Sequence, residues 1–92
     1  MTTVKIEPGH ISISEHADSH EACAYVTATC QCLEIVLEEL GALTVGHKGP
    51  GVFHYAWRRT PLVDRIVKQF SGAFDVIAQG FPKDVTLVSS CQ

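Results

Sequence analysis

The four cysteines of this 92-residue chain, Cys23, Cys30, Cys32 and Cys91, include no CxxC pair. The common zinc-ribbon and thioredoxin signatures are therefore absent. Nor does the spacing resemble a disulfide framework: three of the four fall in one expected helix, and a reducing compartment keeps them as thiols. There is no basic block. Seven Lys and Arg stand against ten Asp and Glu, a net charge of −3, and the electrostatic footprint of a nucleic-acid binder is missing. No apolar run approaches the roughly 20 residues of a membrane span. The first residues, Met1 to Glu7, lack the apolar core of a secretory signal, so the expected setting is cytoplasmic, with no membrane partner. No linker, low-complexity tract or convincing repeat interrupts the chain, and residues 1–92 are expected to form one small domain.

What is present is ordinary globular composition, 46% hydrophobic, arranged with clear periodicity. Thr2–Glu7 alternates with Val4 and Ile6 inward, Pro8-Gly9 signals a turn, and His10–Glu15 alternates again with Ile11 and Ile13 inward. Residues His20 to Leu40 read as a helix through Val26, Cys30, Leu33, Leu37 and Leu40. Ala22, Thr29, Ile35 and Val36 widen its apolar surface, and Gly41 is its expected stop. Ala42–His47 reads as a strand, Gly46 to Gly51 as a connector, and Val52–Arg58 as a strand with Phe53, Tyr55 and Trp57 on one face. Thr60-Pro61 opens a second helix, with Thr as cap and Pro at the first helical position. Val63, Ile66, Val67, Phe70, Ala73, Phe74 and Ile77 continue it, and Gly80 and Pro82 end it. Asp84–Ser89 is a last strand. The order β-β-α-β-β-α-β predicts an α+β fold, two helices on one face of a mostly antiparallel sheet.

The stretch from Ile11 to Cys30 carries the sharpest chemistry. A strand ending near His16 and a helix starting near His20 place Cys23 in the first helical turn. Unsatisfied backbone N–H groups and the positive end of the helix dipole favour a thiolate at such a position. His16 is then the natural general base, with His20 a rival three residues before the cysteine. Thr27, four residues on, shares a helix face with Cys23. Asp18, Glu21 and Glu15 are possible orienters of the imidazole, although acidic residues at a helix start are also simply favourable for the dipole. The ordinary alternatives are a small buried cysteine and a surface histidine. A second sharp reading is zinc: His16, His20 and Cys23 form H-x3-H-x2-C, with Asp18 or Glu21 to complete it. Cys30 and Cys32 read as packing residues and Cys91 as an exposed tail thiol. His10, His47 and His54 read as turn or strand-surface residues without a partner.

The segments Ile13-Ser14-Glu15-His16-Ala17 and Cys23-Ala24-Tyr25-Val26-Thr27 resemble the ribosomal-processing cysteine protease family, Prp. That family carries Gly-His-Ala at the end of the second strand, a loop of variable length, and Cys-Ala-x-Val-Ser opening the first helix. The resemblance extends to size, element order, the Gly-rich second hairpin and the C-terminal strand. It implies a homodimeric cysteine protease without a cofactor. Such an enzyme removes a short N-terminal extension from a ribosomal protein or, in phage relatives, processes capsid or scaffold proteins. His16 matches the catalytic histidine, Cys23 the catalytic cysteine, and Thr27 stands where the family has Ser. The chain departs from the pattern at Glu15, in place of Gly, and at His20, where many members have Asp. Its loop is also short. On this reading His16 deprotonates Cys23 and the thiolate attacks a peptide carbonyl. Backbone N–H groups near Ala24 hold the oxyanion, and the substrate crosses the loop Ala17, Asp18, Ser19, His20, Glu21, Ala22. The competing classes are a catalytically inactive dimeric interaction module of the same fold and the zinc-binding protein.

Overall fold

The computed structural model describes residues 1–14, 19–49 and 52–89. In chain order these form β1 (Thr2–Glu7), β2 (His10–Ser14), α1 (His20–Glu39), β3 (Leu43–Gly49), β4 (Val52–Trp57), α2 (Pro61–Gly80) and β5 (Val85–Ser89). The strands make one sheet in the order β3-β4-β2-β1-β5. β1–β2, β2–β4 and β3–β4 are antiparallel, and β1–β5 is parallel. The α+β architecture and the β-β-α-β-β-α-β order are those expected from periodicity.

Alternation in the strands decides the layers. Val4 and Ile6 lie opposite Ile13 and Ile11, and Ile11 lies opposite Tyr55, so one face of the sheet is a continuous apolar surface. Both helices pack on that face. Ala22, Val26, Cys30, Leu33 and Leu37 of α1, and Val63, Val67 and Phe74 of α2, join the sheet residues in one core. The opposite face of the sheet carries Lys5, Glu7, His10, Ser12 and His54, the polar half of the same alternation.

Local chemistry sets the helix ends. Ser19 has extended backbone, and its hydroxyl accepts from the N–H of Ala22 at 3.2 Å, an N-cap worth about 1 kcal/mol. At the other end the Ala42 N–H donates to Leu37 O and the Gly41 N–H to Glu38 O. These are the two bonds of a Schellman turn, and Gly41 supplies the positive φ of 67° that the turn needs. Leu37 and Ala42, the pair that this turn brings together, are both buried. α2 opens as its sequence indicates: the Thr60 hydroxyl accepts from the Val63 N–H at 3.1 Å, with Pro61 in the first turn. It closes differently. Gly80 remains inside the helix with no positive φ, and the stop comes at Phe81, whose backbone leaves the helical region at φ −132° and ψ 61° ahead of Pro82.

Two expectations are corrected, and one strand residue points away from the core. Gly46 to Gly49 is strand, not connector: Gly46, His47, Lys48 and Gly49 pair with Tyr55, His54, Phe53 and Val52. Val45 is exposed, because the register shifts between Leu43 and Val45 and throws its side chain off the core face. Leu40 and Ile35 do not extend the buried stripe of α1. Leu40 is the C-cap residue, and Ile35 is 65% exposed on the outer side.

The burial of α1 makes a direct prediction. Leu33→Ala should cost about 2–5 kcal/mol, the range for emptying a closed core site. Ile35→Ala, two residues away, should stay within about 0.5 kcal/mol. Urea denaturation followed by circular dichroism measures both; equal losses would mean that the helix is rotated from the orientation described here.

Candidate active site

The end of the sheet that carries the C-terminus of β2 also carries the Gly49/Val52 end of the β3–β4 hairpin. Ser14 lies opposite Val52, and Val52 opposite Gly49. α1 begins at this end, five residues past Ser14, at the Ser19 cap. Cys23 is exposed here. Its N–H already donates to Ser19 O at 3.1 Å, so it closes the first helical turn. With Ala22 N–H on the Ser19 hydroxyl, the donors at this helix start without an intrahelical acceptor belong to Ser19, His20 and Glu21. Ala24 lies in the second turn, where helix geometry directs its N–H to the carbonyl four residues back. The N–H groups without an intrahelical acceptor therefore sit one turn earlier than Ala24.

Helical spacing aligns Cys23, Thr27, Cys30 and Glu34 along one side of α1. Glu34 shows what this side faces. Its carboxylate accepts from the Tyr55 hydroxyl of β4 at 3.3 Å and pairs with the Lys48 ammonium of β3 at 2.8 Å. Thr27, half-buried, and Cys23 continue the same line toward the Gly49/Val52 end of the hairpin, about 16 Å along the axis from Glu34 to Cys23. Phe53, opposite Ile13, packs against the core at that end.

The two thiols on this line have different surroundings. Cys30 is fully buried, and burial pushes its thiol up from 9.0 to about 12. A hydrogen bond from Tyr55 and the nearby Lys48 charge oppose the rise, and Glu34 adds to it. Tyr55 is likewise raised, first by burial and then by Cys30 and Glu34. Lys48 is raised chiefly by its bond to Glu34. Cys30, Tyr55, Glu34 and Lys48 are thus one network that fastens the hairpin to α1. Sequence reasoning placed Cys30 and Tyr55 singly and did not bring the four together. The one available signal was Glu34, an acidic residue one turn beyond Cys30 on the same helix face.

Several expected site residues fall elsewhere. Glu15, His16, Ala17 and Asp18 lie outside the described residues, as does Cys91. Of the expected substrate loop Ala17–Ala22, Ser19 is the helix cap and His20, Glu21 and Ala22 are already helix, with Ala22 fully buried. α1 starts at His20, where its sequence indicates, and with Ser19 as its cap only residues 15–18 remain as the link. His20 is exposed in the first turn, and Cys32 is exposed rather than packed. Among the described residues no group of three His, Cys, Asp or Glu side chains is placed to hold a metal ion; the zinc reading needs His16, which is not among them. A groove of about 350 Å³ runs between the helices, lined by Glu21, Tyr25, Val76, Ile77, Gly80 and Phe81. Glu21 and Tyr25 flank Cys23 by two residues each way and so point to the other side of α1. The groove is separate from the thiol.

Among the described residues no helix is long and apolar enough to cross a membrane. The chain thus has an α+β fold with an exposed first-turn cysteine, and known structures share that fold over nearly its whole length. One is an essential ribosomal processing protease, Prp, from S. aureus in complex with a covalently linked product peptide. It matches with a TM-score of 0.83 and 16% identity over 98% of this chain and 100% of that one. The same protease with a substrate peptide matches at 0.78 and 12% identity, over 97% of each chain. SMU.848 from Streptococcus mutans matches at 0.69 and 20% identity, over 99% of this chain and 93% of that one. At such identities the likeness establishes the fold. No protein-family model and no curated protein sequence matches the chain.

The raised Cys30 thiol has a stability consequence. Its folded state holds the proton to higher pH than the unfolded chain does, so above pH 9 the unfolded state binds fewer protons and stability falls as pH rises toward 12. Cys30→Ala should flatten that decline in urea midpoints measured across this range, relative to the parent's own slope. An unchanged slope would assign the decline to Tyr55 and other groups.

Proposed function

We propose that this chain is a small, single-domain cysteine endopeptidase with Cys23 as nucleophile and His16 as general base. The observation that carries the reading is the exposed thiol at the capped start of α1, in a fold shared with a protease captured on a covalently linked peptide. His16 belongs to the short link between Ser14 and Ser19, and the two ends of that link lie at the same end of the molecule as Cys23. In the reaction the Cys23 proton passes to His16, and the thiolate attacks the scissile carbonyl carbon. The resulting tetrahedral intermediate collapses to a thioester, releasing the amine, which takes the proton from His16. Water then hydrolyses the thioester and restores the thiol. The N–H groups of His20 and Glu21 are the donors at hand for the oxyanion. Thr27, one turn beyond Cys23, offers a hydroxyl along the same line.

The substrate on this reading is an extended segment of a protein, lying over the Gly49/Val52 end of the β3–β4 hairpin. The name of the structural neighbour favours a ribosomal protein with a cleavable N-terminal extension over a phage capsid or scaffold protein. The chemistry requires no cofactor, nucleic acid or membrane, and the proposed setting is the cytoplasm. The proposal includes a homodimer: Tyr25 and Ile35 on α1 and Leu62 and Val76 on α2 leave more apolar surface on the helical layer than a monomer of this size should expose.

Cleavage of a cognate peptide, followed by mass spectrometry, tests the assignment. Cys23→Ala and His16→Ala should each lower the rate by at least about a thousandfold while circular dichroism stays native. His20→Ala should leave the rate near that of the parent; its loss in place of His16 would transfer the base to His20. If Cys23→Ala cleaves at the parent rate, the nucleophile assignment fails. Limited alkylation gives an independent reading: Cys23 should label faster than Cys32, the exposed internal control, and Cys30 should not label. Sedimentation equilibrium at tens of micromolar should give a dimer; a species of 10.0 kDa alone would remove that part of the proposal.

A further inference from the structure

The sheet face turned away from the helices holds a cluster that peptide hydrolysis does not use. On that face His10 lies opposite Ala56 and Ser12 opposite His54, so the two histidines are diagonal neighbours across β2 and β4. The small side chains of Ala56 and Ser12 leave room for the rings to lean together. Their centroids are 4.3 Å apart at an interplanar angle of 74°, and the Nε2 atoms face one another. Glu7, across the Pro8-Gly9 turn, sets a carboxylate oxygen 3.6 Å from Nδ1 of His10. Both rings are half-buried, and the face around them is open.

Two imidazole Nε2 atoms that face one another either make an N–H···N hydrogen bond, one donating and one accepting, or together offer two lone pairs to a metal ion. The carboxylate at Nδ1 decides the chemistry at His10. It favours the tautomer with hydrogen on Nδ1, which frees the Nε2 lone pair. Carboxylate, imidazole and metal in this order form the usual outer shell of a histidine ligand. We propose that His10 and His54 form a two-imidazole site for a divalent transition-metal ion, Zn²⁺ or Ni²⁺, with Glu7 orienting His10 and water completing the coordination. Imidazole selects such ions over Mg²⁺ and Ca²⁺. Ligation at about 2.0–2.1 Å per nitrogen requires the two Nε2 atoms to part, and small side-chain rotations on an open face allow this. His47, opposite His54 on β3, has its Nε2 over Gly49, which leaves the remaining positions to water. Lys5 shares the Glu7 oxygen at 3.8 Å and is half exposed, so His10 shares that carboxylate with one flexible cation.

The test is calorimetric titration of the full chain with Zn²⁺ and with Ni²⁺, together with the absorption spectrum of the Co²⁺ form. One equivalent should bind. His10→Gln and His54→Gln should each weaken binding at least about tenfold, and Glu7→Gln by about tenfold. The Co²⁺ spectrum should lack near-ultraviolet thiolate charge transfer. Full-strength binding by the His54→Gln variant would overturn the site, and a thiolate band would place the ion on Cys23 or Cys32. Absence of binding by either ion would overturn the site and leave the pair as an imidazole–imidazole hydrogen bond. Circular dichroism reports whether each variant folds. If His54→Gln does not, Glu7→Gln, which keeps both imidazoles, must show the loss. None of these outcomes depends on the peptidase assignment.

Discussion

The rotation of α1 about its own axis governs most of this molecule. Ser19 fixes where the helix begins and Gly41 where it ends, and between them the buried side chains at Ala22, Val26, Cys30, Leu33 and Leu37 allow one orientation. A slip of one residue would turn the helix by about 100°. It would drive charged Glu34 and Glu38 toward the core and lift the apolar stripe into water. The same rotation exposes Cys23 at the end where the link from β2 arrives.

Cys23 and Cys30 are one heptad apart and so point in nearly the same direction, within about 20°. One is exposed and the other fully buried. The helix cannot make that distinction; the hairpin does. β3 and β4 close over the middle of α1, where Glu34 holds Tyr55 and Lys48. The buried thiol stays protonated beneath this cover, and Cys23, two turns earlier on the same line, is exposed. A helix line with a sealed segment and an open segment is a compact way to keep one of two similar thiols accessible.

Much of this could be read from the chain. Thr60-Pro61 marked the start of α2 because cap and first-turn chemistry are local. The alternation of Val4, Ile6, Ile11 and Ile13 marked the inner face because strand period is local too. What escaped reading was set by pairing partners. Gly46 to Gly49 resembles a loop in composition, yet β4 and the Lys48–Glu34 ion pair hold it in the sheet. Val45 fits the inward pattern, but a register shift turns it out. His10 and His54 have no relation along the sequence and meet only because β2 and β4 are neighbours with small residues between the rings. The helix-start position of Cys23 was legible from the run after Ser19. That Ala22 is already core, and the expected loop therefore shorter, depended on where the cap fell.

The parallel pairing of β1 with β5 sets Thr2 opposite Val85. Closing so long a span costs on the order of 4 kcal/mol of chain entropy. Both hairpins, by contrast, join strands a few residues apart and can form early. Until residues 85–89 arrive, β1 is a bare sheet edge, open to pairing with any other extended chain. The strand that completes the sheet therefore also guards it. Loss of β5 would turn a folded domain into an assembly hazard before it cost the site any residue.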